Sequence, residues 1–240
     1  MNRQEWYRQA YRCLRAEWKD SLTIYRELIE HNIRPDTRIL DLGCGSADFL
    51  QTAYAKAQKV YGIDPDVQAL CRNVAIGARV AGTGDDLPFG DNLFDMIALA
   101  WVVEHLDRPA AVFRELYRVL KPGGLLIFLT PNAWNYNVWM IRMVPNCFHN
   151  VFTQALYGRR ERETYAVRYR MNSVPRIEAV LREIGFRGQQ VILNGDPSYI
   201  SFNDHLFRLA CSVERMLETN LLRLARVHII GCYCKEASIS

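Results

Sequence analysis

The chain has 240 residues, of which 50% are hydrophobic and 23% charged, with a net charge of +4. That length supports one domain with a sizeable core, and the composition excludes disordered and collagen-like classes. The weak, dispersed positive charge argues against a nucleic-acid surface, and seven scattered cysteines without CxxC spacing read as reduced thiols, not a disulfide or zinc framework.

The N-terminus carries charges and no apolar signal core, and no apolar run approaches the roughly 20 residues that span a bilayer. The expectation is a cytoplasmic protein that at most lies on a membrane surface. From Trp6 to His31, apolar residues recur at helical spacing, which predicts one broken helix or two. Pro35 and Asp36 end that pattern, and residues 38–42 read as a short buried strand entering a glycine turn. Further strands are expected at 59–63, 78–81, 94–100 and 125–129, with helices at 47–57, 66–77 and 108–120; Lys121-Pro122-Gly123-Gly124 is a helix stop. Beyond Pro131 the regularity breaks, and residues 133–172 read as an inserted lid. A helix at 174–184, a strand at 189–193, a helical stretch within 203–225 and a strand at 228–234 follow. This alternation predicts an α/β fold with a mostly parallel sheet covered on both faces. The domain reading is one unit, 1–240, divided into a helical cap (1–34), a core (35–132), the lid (133–172) and a C-terminal part (173–240).

Asp41-Leu42-Gly43-Cys44-Gly45-Ser46 stands where a strand turns toward a helix, so a ligand can approach the backbone closely. The dinucleotide fingerprint needs a third glycine that is missing here, and Asp41 and Asp48 would repel a pyrophosphate while attracting an ammonium or sulfonium. The next strand ends in Asp64, whose carboxylate can accept from two ribose hydroxyls. These features point to a cationic nucleoside without a bridging phosphate.

Further motifs join this turn in order: Gly62-Ile63-Asp64-Pro65, Asp86-Leu87-Pro88-Phe89, Phe94-Asp95, Val103-Glu104-His105-Leu106, Arg118 through Gly124, and Thr130-Pro131-Asn132. Over residues 39–132 the chain resembles the class I S-adenosylmethionine-dependent methyltransferases, and more narrowly the small-molecule group that includes ubiquinone-pathway O-methyltransferases. The resemblance implies a Rossmann-like seven-stranded sheet with an antiparallel last strand near 228–234. It also implies S-adenosyl-L-methionine as cofactor. Asp41, Gly43 and Gly45 would surround its methionine part, Asp64 would hold the ribose and Pro65 would line the adenine. Gly84, Asp85 and Leu87 belong to the adenine-side segment, in which Thr83 replaces the usual aspartate. Ala100 and Trp101 would lie beside the methionine and sulfonium, where an aromatic face can add a cation–π contribution.

Methyl transfer is an in-line displacement, so positioning carries much of the catalysis and a dedicated base is optional. For a hydroxyl acceptor a neutral histidine serves near pH 7, and His105 is the first candidate, with His149 as an alternative. Metal-dependent relatives use an E-x-x-E-H cluster. Trp101 takes the place of its first glutamate, which leaves Glu104 and His105 as a poor donor set, and no metal is expected.

Tyr165, Tyr169, Arg170 and Asn172 are the candidate substrate contacts, with Arg168 beside them; Arg159, Arg160 and Arg162 read as a solvated face. The apolar run from Ala133 to Met143 can wall an acceptor pocket, and residues 133–157 are a candidate for peripheral membrane contact. The leading reading is methyl transfer to a small, lipid-like or sugar-containing acceptor, at oxygen. Competing readings are an RNA methyltransferase, which the charge disfavours, and a non-catalytic cofactor-binding partner subunit, suggested by Ala47, Thr83 and the missing metal glutamate.

Overall fold

The structure, a computed structural model, describes residues 2–46, 48–136, 166–219 and 222–236. Two helices come first, α1 (Arg3–Leu14) and α2 (Ser21–Asn32). Their N-termini are capped by Asn2 and Asp20, whose side chains accept from Glu5 N and Thr23 N and satisfy amides that have no helical partner. The expected break between two N-terminal helices falls at residues 15–20.

Seven strands follow: β1 (Arg38–Leu42), β2 (Lys59–Asp64), β3 (Ala78–Ala81), β4 (Phe94–Ala100), β5 (Leu120–Pro131), β6 (Phe186–Asn194) and β7 (His228–Lys235). They form one sheet in the order β3-β2-β1-β4-β5-β7-β6, and β7 runs antiparallel to both β5 and β6. The expected Rossmann-like α/β fold with a reversed last strand is therefore the one observed.

Alternate residues of the central strands feed two cores. Leu40, Ile97, Leu99, Leu126 and Phe128 pack with Val112, Phe113 and Leu116 of α5 (Pro109–Val119) and with Ile177 and Leu181 of α6 (Val174–Ile184). On the other face Ile39, Met96, Ala98, Ile127 and Leu129 pack with Tyr25 and Ile29 of α2, with Tyr54 of α3 (Gln51–Tyr54) and with Leu70 of α4 (Val67–Arg72). A strand buried on both sides reads as a continuous apolar run, which is why Ile39-Leu40 and Met96 to Ala100 were legible. The chain closes with α7 (Asp204–Met216) and β7.

Several expected boundaries differ. Of the helix expected over 47–57 the described residues form Gln51–Tyr54, after which the chain tightens, Lys56 N and Ala57 N donating to the carbonyls of Ala53 and Tyr54. The helix expected over 66–77 stops at Arg72, where Asn73 leaves the helical conformation and turns its side chain to the glycine turn. β5 begins at Leu120 because the Lys-Pro-Gly-Gly segment is taken up as an irregularity in the β4–β5 ladder between Phe94 and Met96. The stretch expected over 203–225 holds α7 and a short 3-10 turn at Arg223–Ala225.

Candidate active site

The parallel strands β1, β2, β4 and β5 all end on one edge of the sheet, and the start of antiparallel β7 joins them there, with His228 opposite Pro131. In open α/β sheets this carboxyl edge is where ligands bind. The glycine turn leaves β1 at this edge and is tied down on two sides. Gly43 N donates to Ile63 O at 2.7 Å, joining the turn to β2. The buried Asn73 side chain donates from Nδ2 to the carbonyls of Cys44 and Gly45, at 3.1 and 3.0 Å. Asn73 is absent from the sequence-based candidates, since an Asn after a short helix gives no local sign of a partner 28 residues earlier.

Both glycines have structural reasons. Gly43 has φ +72°, and a Cβ there would fall 2.3 Å from Val102 Cγ2. Gly45 has φ +49° and nothing within 4 Å of where a Cβ would lie, so its face is open to a ligand.

Two carboxylates flank the turn. Asp41 is buried and accepts from the Tyr54 hydroxyl at 2.9 Å. Burial raises its pKa to about 7; the Tyr54 hydrogen bond opposes the rise and the nearby Asp64 adds to it. Such a group gains from a ligand cation. Asp64 is also buried, and it accepts from Gly45 N through Oδ2 and from Asp66 N through Oδ1, both at 2.8 Å. Each oxygen keeps further acceptor capacity, which suits hydroxyls presented in front of the turn.

The remaining cofactor-side candidates lie around these two. Pro65 follows Asp64 and is exposed. Gly84 is buried where a Cβ would press on Leu42 and Val112 at 2.9 Å, so it lets this segment lie close against the end of β1. Asp85 is half-buried, accepts from Thr83 Oγ1 at 2.6 Å and pairs with Arg108, and those hydrogen bonds hold its carboxyl below the usual range. Leu87 is a core residue 3% exposed, with its amide donating to Glu115.

At the end of β4, Ala100 is followed by Trp101 with φ +60°. This left-handed conformation is uncommon for a bulky residue and turns the chain abruptly out of the strand. The indole stands edge-on against the His228 ring, centroids 5.0 Å apart. His228 is buried between the Ser21 hydroxyl at Nδ1 (2.9 Å) and the Tyr199 hydroxyl at Nε2 (3.1 Å), and burial lowers its pKa to about 4.

Glu104 and His105 follow Trp101 in a 3-10 turn, Val103–His105. Glu104 is buried and accepts from Thr130 Oγ1 at 3.0 Å, while His105 is half-buried with Nδ1 3.2 Å from the Ala166 carbonyl and Nε2 4.0 Å from Glu104 Oε1. The Glu104 carbonyl accepts from the amides of Arg168 and Tyr169, which brings the segment after the expected lid onto the Glu-His turn. Tyr169, φ +49°, is therefore beside His105. Arg170 is exposed and points to Asp107 at 4.0 Å, shared with Arg168. Asn172 is buried and donates from Nδ2 to Thr130 Oγ1 and Pro131 O, at 2.6 and 3.2 Å, so it joins the lid's far end to β5. Tyr165, His149, the arginines at 159, 160 and 162, and residues 137–157 of the proposed membrane segment lie outside the described residues. Among the described residues no three His, Cys, Asp or Glu side chains converge as metal ligands.

Residues 40–128, which hold the glycine turn, both strand-end aspartates and the Glu-His turn, match the family model described as a methyltransferase domain. The segment is similar to methyltransferase domains, and S-adenosylmethionine is the methyl donor that this similarity implies. Outside it, similarity thins. A demethylmenaquinone methyltransferase from Symbiobacterium thermophilum is 34% identical over 118 residues, covering 44% of this chain and 47% of the relative. An uncharacterized methyltransferase of Mycobacterium leprae is 34% identical over 145 residues, 56% of this chain and 51% of the relative. The chain thus spans about half the length of the curated relatives it matches.

Among solved structures, a putative methyltransferase from Bacillus halodurans has the same fold at TM-score 0.60 and 17% identity, covering 90% of this chain and 99% of that one. The geranyl diphosphate C-methyltransferase of Streptomyces coelicolor superposes at TM-score 0.58 and 13% identity, covering 89% and 77%. The residues of the matched segment fit that donor. Open space in front of Gly45 meets a buried carboxylate on each side, Asp41 suited to the ammonium and Asp64 to the ribose hydroxyls.

Proposed function

We propose that the chain transfers a methyl group from S-adenosylmethionine to a hydroxyl oxygen of a small acceptor whose body is lipid-like or sugar-containing. The observation that carries this reading is the pair of buried carboxylates, Asp41 and Asp64, on either side of a turn whose Gly45 face is open. The demethylmenaquinone methyltransferase among the relatives favours a lipid-like acceptor, as does the apolar run from Ala133 to Met143.

The cofactor supplies an activated methyl on a sulfonium. Asp41 would hold the ammonium end and Asp64 the ribose, and Trp101 would close the end of β4 over the site. His105 takes the acceptor proton. Its Nδ1–H donates to the Ala166 carbonyl, which leaves Nε2 as the basic nitrogen, and the Glu104 carboxylate 4.0 Å away stabilises the imidazolium that forms. Tyr169 and Arg170 would contact the acceptor, and Asn172 ties their segment to β5.

The test combines calorimetry with an acceptor screen. Purified protein is titrated with S-adenosylmethionine and S-adenosylhomocysteine, with NAD as control. It is then incubated with prenylated hydroquinones, simple phenols and glycosides while S-adenosylhomocysteine is quantified and the new methyl is located by NMR. Cofactor binding with an O-methylated product supports the proposal; NAD binding, or methylation at carbon alone, overturns it.

A further inference from the structure

We propose that the outer face of α7 and the turn after it dock on an anionic lipid bilayer. α1 and α7 lie side by side and run the same way. Tyr7 Oη donates to Asp204 Oδ1 at 3.1 Å near their starts, and Arg15 pairs with Glu218 at their ends. The inner face of α7 is spent on the fold: Phe207 packs on Tyr7, Ala210 on Ile200, Tyr136 and Tyr199, and Glu214 accepts from Tyr136 at 2.9 Å.

The outer face carries two adjacent rows. Leu209 and Met216, seven residues apart and so two helical turns along one stripe, are 57% and 61% exposed. Arg208 and Arg215 form the neighbouring stripe and are exposed. Leu222, Arg223 and Leu224, beyond the helix, are exposed as well.

Charge identifies the occupant. The three arginine side chains make no ion pair or side-chain hydrogen bond among the described residues, and every carboxylate of α7 and its end is engaged elsewhere: Asp204 with Tyr7, Glu214 with Tyr136, Glu218 with Arg15. A face of apolar side chains beside arginines with no compensating acid suits lipid phosphates above an acyl boundary, where arginine stems lie along apolar surface and the guanidinium groups reach the headgroups. A second copy fits poorly, because a two-fold contact on this face would bring the unpaired arginines of both copies together. The inner face of α7 reaches Tyr199, whose hydroxyl meets His228, which lies against Trp101, so the docking face is one helix removed from these residues. The proposal does not depend on methyl transfer.

Vesicle flotation of the full chain tests it, with phosphatidylcholine vesicles compared with vesicles containing phosphatidylglycerol, at low and high salt. Binding is expected only to the anionic vesicles and falls with salt. Arg208→Gln with Arg215→Gln lowers the partition coefficient by roughly thirtyfold, at about tenfold per 1.4 kcal/mol and about 1 kcal/mol per arginine. Leu209→Glu with Met216→Glu removes binding, and unchanged S-adenosylhomocysteine affinity shows that both variants remain folded. No flotation, equal flotation on neutral vesicles, flotation that neither variant alters, or a dimer in sedimentation that Leu209→Glu dissociates would each overturn the proposal.

Discussion

The Gly45 amide donates to Oδ2 of Asp64 at 2.8 Å, so the carboxylate expected to hold the ribose also holds the turn in front of which the ribose lies. Asp64→Ala removes both roles. A hydrogen bond to a charged group contributes about 2 kcal/mol, so S-adenosylhomocysteine affinity falls by roughly thirtyfold or more. Calorimetry reads this directly, and an unchanged Kd would place the ribose elsewhere.

Asn73 separates turn geometry from ligand contact, because it holds the turn from behind through the carbonyls of Cys44 and Gly45. Asn73→Ala leaves two carbonyls with weaker partners and lowers stability by about 1 to 2 kcal/mol in urea unfolding. Affinity for S-adenosylhomocysteine falls about tenfold with it. If stability drops while affinity holds, the clamp does not shape the site.

Gly43→Ala forces a Cβ to 2.3 Å from Val102 Cγ2 at φ +72°. Cofactor binding is lost, and Val102→Ala added to Gly43→Ala recovers part of it, since the steric portion is relieved and the backbone strain is not. No recovery in the double variant would show that strain alone decides the outcome.

His228 gives a pH signature. Its folded pKa of about 4 is depressed from 6.5, so the unfolded chain takes up the proton first as pH falls. The stabilisation from keeping this ring neutral is fully present above about pH 6.5 and is lost as pH falls through about 4, on the order of 3 kcal/mol. His228→Gln keeps a side chain able to meet Ser21 or Tyr199 but does not titrate. The stability difference between wild type and variant, from urea midpoints, shrinks between pH 7 and pH 4; a constant difference would mean His228 titrates alike in both states.

His105→Asn, once an acceptor is in hand, lowers kcat by about a hundredfold while leaving S-adenosylhomocysteine binding intact. A kcat that the substitution leaves unchanged removes His105 from the proton transfer.

Much of the cofactor half was legible because its signals are local. Apolar runs at Ile39-Leu40 and Met96 to Leu99 announce strands buried on both faces, and each strand end carries its own punctuation in Gly43, Gly45 and Asp64. The acceptor edge was less legible because its connections are distant in sequence. Ser21, Tyr199 and His228 meet from three elements, Asn73 reaches back to Gly45, and Asn172 joins Thr130 across the lid. A polar residue whose partner is fixed only by folding leaves no periodicity. Asn172, read as a substrate contact, is buried with its amide committed to β5, a role that its position before a helix does not reveal.

The reversal of β7 also bears on the order in which the molecule can be assembled during synthesis. Among the described strands β6 lies at the sheet edge and pairs with β7, which leaves the ribosome after it. Strands β1 to β5 can find one another while the remainder is still being translated, so the half that grips the nucleoside can collapse early. β6 has no ladder until residues 228–235 emerge and slot between it and β5. Ser21, made long before, waits for the same eight residues to receive its histidine. This edge of the sheet is thus completed only when β7 joins elements far apart in the chain.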